Sequence, residues 1–309
     1  MPSIARMIRA PFLRVSLLLA VSFAVSTLCI VSTLAGESTQ SDPSPAESLL
    51  KRHGVLREQL EQSPLQPGLH LESVERSNTL QGDAYALVDY PFATVRDAFA
   101  NPDSLCEALI LHLNIKHCRA RLDDGRSVVS VAVGKKTEQP LSDTYRVDFD
   151  HSVTALDANY MRVNLDAKEG PVGTKDYRIS LEMVALDVDH AFVHIQFSYT
   201  NGMAARLATN FYLASGGRNK VGFTQTASTE GAQPRFVGGL RGIAERNTMR
   251  YFLAIDAYLS ALSMPQPQRF KESSERWFAA TERYALQLHE LDRDAYITMK
   301  RAEYQRQNL

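Results

Sequence analysis

From Lys116 to Thr200, hydrophobic and polar residues alternate with a period of two. The segments KHCRARLDD, SVVSVAVGKK, TYRVDFDHSVTALD, YMRVNLDAKEG, DYRISLEMVALDVD and AFVHIQFSYT combine that alternation with β-branched or aromatic residues, which predicts strands. The links between them, DDGR, TEQPLSD, DAN, GPVGT and DVDH, are short. Consecutive strands are therefore expected to be antiparallel neighbours in a meander. In RVNLDAKE, Val163, Leu165 and Ala167 share one face and Arg162, Asn164 and Asp166 the other, one face toward a core and one toward water.

Helical spacing takes over on either side. Ala46 to Ser63 places Leu49, Leu50, Val55, Leu56 and Leu60 along an amphipathic helix that Gly54 weakens. LHLESVERS and DAYALVDY then read as two strands around an NTLQG turn. In PFATVRDAFANPDSLCEALILHL, Pro91 suits a helix entry, and Val95, Phe99, Leu105, Leu109 and Leu113 recur at helical intervals. The NPD at Asn101–Asp103 divides that stretch into two short helices. After the meander, Met203 to Ala214 reads as a helix stopped by Gly216, and KVGFTQTAS as a further strand. The chain then enters GLRGIAERNTMRYFLAIDAYLSAL, one proline-free helix from Gly239 to Leu262. The charged, helical tail carries Trp277, Phe278, Leu288, Tyr296 and Met299, which are expected to pack back over the domain.

The long helix mixes polar and apolar residues on one stripe. At about 100° per residue, Leu240, Ala244, Asn247, Thr248, Tyr251, Ile255, Tyr258 and Leu262 lie together. Arg246 and Arg250 lie on the flank, and Glu245, Met249 and Asp256 near the opposite side. A buried amide or hydroxyl without a partner costs about 1–3 kcal/mol. Asn247, Thr248, Tyr251 and Tyr258 therefore need partners, either core groups and trapped water or the polar end of a ligand in an apolar cavity. Arg246 and Arg250 read as surface salt bridging, such as Arg241 with Glu245, or as an anion clamp at a cavity mouth.

Composition adds an address. Arg6, Arg9 and Arg14 precede an uncharged, largely apolar run from Val15 to Gly36 with small residues at Thr33 and Ala35, the pattern of a signal peptide cleaved after Ala35. An uncleaved membrane anchor, associated with the inner membrane, is the rival reading. Cleavage removes three arginines and no acid, which takes the formal net charge from −1 to −4. Neither value suits a nucleic-acid partner. Cys106 and Cys118 then remain, an even count that in an exported chain reads as one disulfide, with two buried thiols as the alternative. His112, His117 and Cys118 match no zinc spacing, and G-x-S-x-G, H-E-x-x-H and P-loop motifs are missing. No metal or cofactor is expected.

Two passages carry a family resemblance: VDYPFATVRDAFANPDSLCEAL, Val88 to Leu109, and the Gly239–Leu262 helix after the meander. Their order resembles the START-like, or SRPBCC, helix-grip domains. The resemblance implies an α+β fold in which a curved antiparallel sheet wraps a long C-terminal helix, with extra C-terminal helices added. It covers residues 69–262, after a signal peptide or anchor (1–35), a linker (36–45) and an N-terminal helix (46–68), and before a helical extension (263–309). It also implies a cavity for a hydrophobic small molecule or lipid, so Asn247, Thr248, Arg250, Tyr251 and Tyr258 become the expected ligand contacts. The function expected is a periplasmic or secreted carrier or sensor. An enzyme of the same fold, cyclase- or hydrolase-like and drawing on His151, Glu182 or Tyr251, is an alternative. A membrane-anchored interaction module with a filled cavity and an unnamed protein partner is another. Two departures stand out: the inserted segment at Met203–Ala214 and the long tail.

Overall fold

The structure, a computed structural model, describes residues 43–154, 157–202, 220–226 and 235–308. The expected signal segment, most of the linker and the expected Met203–Ala214 helix lie outside the described residues.

The strands are β1 (Leu69–Arg76), β2 (Thr79–Val88), β3 (Ile115–Asp123), β4 (Arg126–Val133), β5 (Tyr145–Thr154), β6 (Tyr160–Glu169), β7 (Thr174–Ala185) and β8 (Ala191–Asn201). They form one sheet in the order β1-β2-β8-β7-β6-β5-β4-β3, antiparallel throughout. The period-two segments are thus β3 to β8 in unbroken succession, and the first hairpin joins the meander through β2 and β8. Alternation sets the faces as the sequence requires: Val163, Leu165 and Ala167 are buried in the main core. KVGFTQTAS departs from expectation. Among its described residues only Gln225–Thr226 (β9) forms a ladder, with Arg235–Phe236 (β10), and it stays outside the large sheet.

Helix α1 (Pro45–Glu61) opens with a capping box in which Ser44 and Glu47 satisfy each other's backbone N–H groups. Leu49, Leu56 and Leu60 pack on Tyr85, Tyr160, Val184 and Phe192, so α1 covers the outer face of the sheet, while Leu50 and Val55 are exposed. Helices α2 (Phe92–Phe99) and α3 (Pro102–Leu109) follow β2, and Asn101 caps α3 at the NPD break. A disulfide joins Cys106 of α3 to Cys118 of β3, with Cα atoms 5.1 Å apart. In the chain-entropy account such a link contributes about 3 kcal/mol.

The long helix, α4 (Gly239–Leu259), lies on the inner face against β1, β2 and β8. It lies very close to Gly82 of β2. A Cβ there would collide with Thr248 Oγ1 and sit 3.2 Å from the Ala244 carbonyl oxygen, so a larger residue would force the crossing to shift. The helix ends at Leu259, and tighter i→i+3 turns carry the chain through Leu262.

A second layer covers the far side of α4: α5 (Gln268–Glu282), α6 (Ala285–Leu288) and the 220–224 segment, with α7 (Arg293–Gln307) packed on α5 and β3. This layer overturns the surface reading of the α4 charges. Glu245, Arg246 and Arg250 are all buried. Glu245 accepts from the Phe223 and Thr224 N–H groups and from the Thr224 and Ser73 hydroxyls. Arg246 donates to the Val221 carbonyl, and Arg250 to the Leu288 carbonyl and Glu290. Arg241 turns to Ser73 instead of Glu245. Each charge is satisfied by partners that only tertiary folding brings near. The tail packs back as expected. Trp277 donates to the Arg250 carbonyl and stacks on Tyr296. Helix α7 also closes the β3 edge, because Gln307 accepts from the Cys118 N–H and Lys300 donates to the Ile115 carbonyl.

On the outer face, beneath α1, His194 bridges Asp83 and Glu182 at 2.9 Å each. Tyr160 donates to the same Glu182, and Gln81 and Gln196 to Asp83. Burial alone would lower the His194 pKa, but the hydrogen bonds and charges of both carboxylates outweigh it and hold it above 6.5. Burial would raise Asp83 and Glu182, yet their bonds to His194 hold both below ordinary carboxylate values.

Two predictions follow from this packing. Gly82→Ala is expected to destabilise the protein by about 1–3 kcal/mol in urea unfolding. Combined with Thr248→Ala, the loss should be smaller than the sum of the single changes, because the colliding oxygen is gone. Stability should also depend on pH through the outer cluster. The raised His194 contributes fully below its unfolded value and loses that contribution as pH rises through its folded value. The depressed carboxylates contribute above their unfolded values and lose it as pH falls through their folded ones. The cluster is thus most stabilising between about pH 4.5 and 6.5. Urea midpoints should fall above that window, and fall less in His194→Gln.

Candidate functional site

The tight crossing at Gly82 puts α4 over one side of the sheet. On the other side, α3 lies over β3 and β4. Between the two helices and the sheet is a cavity of about 130 Å³. Its walls come from Ile115, Val131, Val133, Val147 and Phe149 of β3–β5, from Tyr177, Ile179 and Phe197 of β7 and β8, and from Asn247 and Tyr251 of α4. Leu109, His112 and Asn114 close it from the α3 side. A smaller, deeper space of about 30 Å³ lies against Leu105, Ala108, Ala254 and Ile255.

His112 is the polar group that geometry singles out. It sits in the turn between α3 and β3, whose shape is set from both ends. The Ile115 N–H bonds to its carbonyl, Lys300 donates to that same carbonyl at 2.7 Å, and Asn114 exchanges hydrogen bonds with Gly134 at the end of β4. The imidazole is buried and stacks on Tyr251 at 4.7 Å, and Tyr251 in turn tilts against Phe197. Nδ1 accepts from the Asn114 N–H at 3.1 Å, while Nε2 is buried with no hydrogen-bond partner among the described residues.

The protonation state follows from these contacts. Burial, and then the nearby cations Arg250, Lys300, Lys136 and Lys116, hold the His112 pKa well below its ordinary value, so the ring is neutral. A neutral ring that accepts at Nδ1 carries its proton on Nε2. The backbone N–H at Nδ1 cannot take up a proton, so His112 acts as a fixed donor and not as a base. Tyr251 is held protonated because burial raises its pKa.

The five residues expected to contact a ligand divide. Asn247 and Tyr251 line the cavity. Thr248 is spent on the close crossing with Gly82, and Tyr258 packs its ring near Phe99. Arg250 faces Glu290 on the far side of α4. Thr248 and Tyr258 thus share the stripe of the cavity residues but are taken up by packing, and Arg250 belongs to a different surface of the helix. The residues proposed for catalysis also separate: Glu182 lies in the outer cluster, and His151 bonds Ser127 on β4. Sequence reading missed His112 as a cavity group. Its signal was a lone histidine between Leu111 and Leu113 in the apolar run ALILHL, considered only against zinc spacings.

A six-strand meander extended by a hairpin, with a long late helix held on its inner face and two short helices over one end, settles the architecture. The chain has the helix-grip fold. Neither a family model nor a curated protein matches the sequence. Solved structures match at low similarity. A conserved protein from Geobacillus kaustophilus is 9% identical, with 59% of this chain and 95% of that chain covered, at a TM-score of 0.36. Norcoclaurine synthase from Thalictrum flavum, in complex with dopamine and hydroxybenzaldehyde, is 11% identical over 47% and 78%, at 0.31. Human STARD10 is 10% identical over 58% and 78%, at 0.30.

The neutral state of His112 is directly measurable. Its ring nitrogen NMR shifts should stay those of a neutral imidazole from pH 8 down to about pH 5, where an exposed histidine has become protonated. Titration of His112 near its ordinary value would contradict the burial argument.

Proposed function

We propose that this protein is exported and encloses one small, neutral, mainly apolar molecule between the sheet and α4, as a carrier or sensor. The observation that carries this reading is a buried donor, His112 Nε2, with no partner among the described residues, on a cavity walled mostly by aliphatic and aromatic side chains. A buried donor without a partner is costly, and a ligand's carbonyl, ether or hydroxyl oxygen would satisfy it. Asn247 supplies a second polar contact on the same wall. The neutral ring favours an uncharged acceptor over a carboxylate or phosphate.

Size narrows the ligand. A cavity of about 130 Å³ is on the scale of one that holds benzene and lies below the roughly 300–1,000 Å³ of drug-sized sites. Of the two ligand classes suggested by the sequence, the small molecule suits this space, and a whole lipid would need one several times larger. An enzymatic role finds no convergent acid–base pair among the described residues that line this cavity: Glu182 and His151 are elsewhere, and the His112 tautomer is that of a donor.

Export is supported by the basic start, the uncharged run from Val15 to Gly36, and a disulfide of the kind that persists in oxidising compartments. Sequencing of the mature N-terminus should begin at Gly36. An intact N-terminus would favour the anchored form. For the site, cyclohexanone is a suitable probe, an apolar ring with one acceptor. In an NMR titration its shifts should concentrate on His112, Tyr251, Val131 and Ile179. His112→Phe should weaken binding about tenfold, the worth of one hydrogen bond of about 1.4 kcal/mol. Shifts scattered over the surface, or equal affinity in the variant, would remove the reading.

A further inference from the structure

The cavity has two compartments in line. Leu109, Ile179 and Tyr251 line both the outer space and the deeper one. The outer space holds all the polar groups. Apart from the Tyr251 ring, the inner one meets only aliphatic side chains: Leu105 and Ala108 of α3, Ala254 and Ile255 of α4, and Val163, Leu165, Ile179, Leu181 and Ile195 of β6–β8. We infer that Leu109 and Tyr251 form a waist that sets ligand length, with the ligand's polar body in the outer compartment and a short alkyl tail passing into the inner one. This rests on the enclosure reading above and adds a substrate class to it, small neutral ketones, alcohols or ethers with an unbranched tail.

Three observations support the waist. The inner space, about 30 Å³, has room for a water, but it lacks the two to four polar partners a buried water needs, so it stays dry. It is hollow because buried Ala108 and Ala254 stand on its helical walls. Larger aliphatic residues would fill it, and an unfilled void costs stability. Of the three shared residues, Ile179 is fixed in the middle of the sheet, paired with Leu165 and Phe197. Leu109 is the last residue of α3, and Tyr251 is held by ring contacts with His112 and Phe197, with no hydrogen bond among the described residues. The two side chains on the helices are thus the part of the waist outside the sheet ladder, and a tail that displaces them joins the compartments.

The test is a chain-length series of methyl ketones, 2-butanone to 2-nonanone, titrated by NMR into the intact mature protein, Leu109→Ala and Ala254→Val, with thermal melts to verify folding. In the wild type, affinity should rise about fourfold for each added methylene while the tail finds room, then fall. Leu109→Ala should move the fall to longer ketones by about two carbons, and Ala254→Val should move it to shorter ones. Either folded variant is sufficient for the test. Identical length profiles for the wild type and a folded variant would overturn the waist while leaving enclosure in place. A folded wild type that binds no ketone in the cavity would overturn both.

Discussion

Everything inside this molecule is organised by the contact between α4 and β2. At Gly82 the strand has no side chain, so Thr248 and the Ala244 backbone lie directly on it. One glycine therefore fixes how close the long helix comes and where it crosses. Because α4 is drawn toward the hairpin side, with β1, β2 and β8 beneath it, the remaining inner face is left for smaller elements. Helix α3, tied to β3 by the Cys106–Cys118 bond, and the His112 turn reach only part of the way across. The cavity is what the two helices leave unfilled. Its polar end is where the backbone turns, and its apolar end is where alanines replace larger residues.

The two histidines that matter show how burial alone does not fix charge. His112 and His194 are both buried. His194 touches two carboxylates on the outer face, and their hydrogen bonds outweigh desolvation, so its charged form is favoured. His112 has no carboxylate partner and stands near four cations, so desolvation and repulsion act together and its neutral form is favoured. One cluster thereby stabilises the region under α1, and the other group remains a neutral donor for an enclosed molecule.

Much of the fold was legible from the chain. The meander was visible because each strand keeps a period of two with short links, and a one-residue slip would expose its apolar set. The split between α2 and α3 was visible in NPD, and the cysteine pair in the two cysteines that follow the expected signal segment. The α4 charges were misread for a physical reason. A helical wheel knows only the helix, and Glu245, Arg246 and Arg250 are buried by Ser73, by Val221–Thr224 and by Leu288–Glu290, which are far away in sequence. The site was half legible. Asn247 and Tyr251 follow from the apolar stripe, but Thr248 lies on the same stripe and is used by packing. No periodicity separates a residue at a close crossing from one beside a gap. His112 lies in a turn, where periodicity carries no information at all.

The central claim is that the space beside Tyr251 is hollow and apolar. A crystal structure of the protein under xenon pressure tests it most directly. The account predicts a xenon site enclosed by Val131, Phe149, Ile179 and Tyr251, with the surrounding side chains unmoved. Side-chain density filling that space, with no xenon bound there, would contradict it.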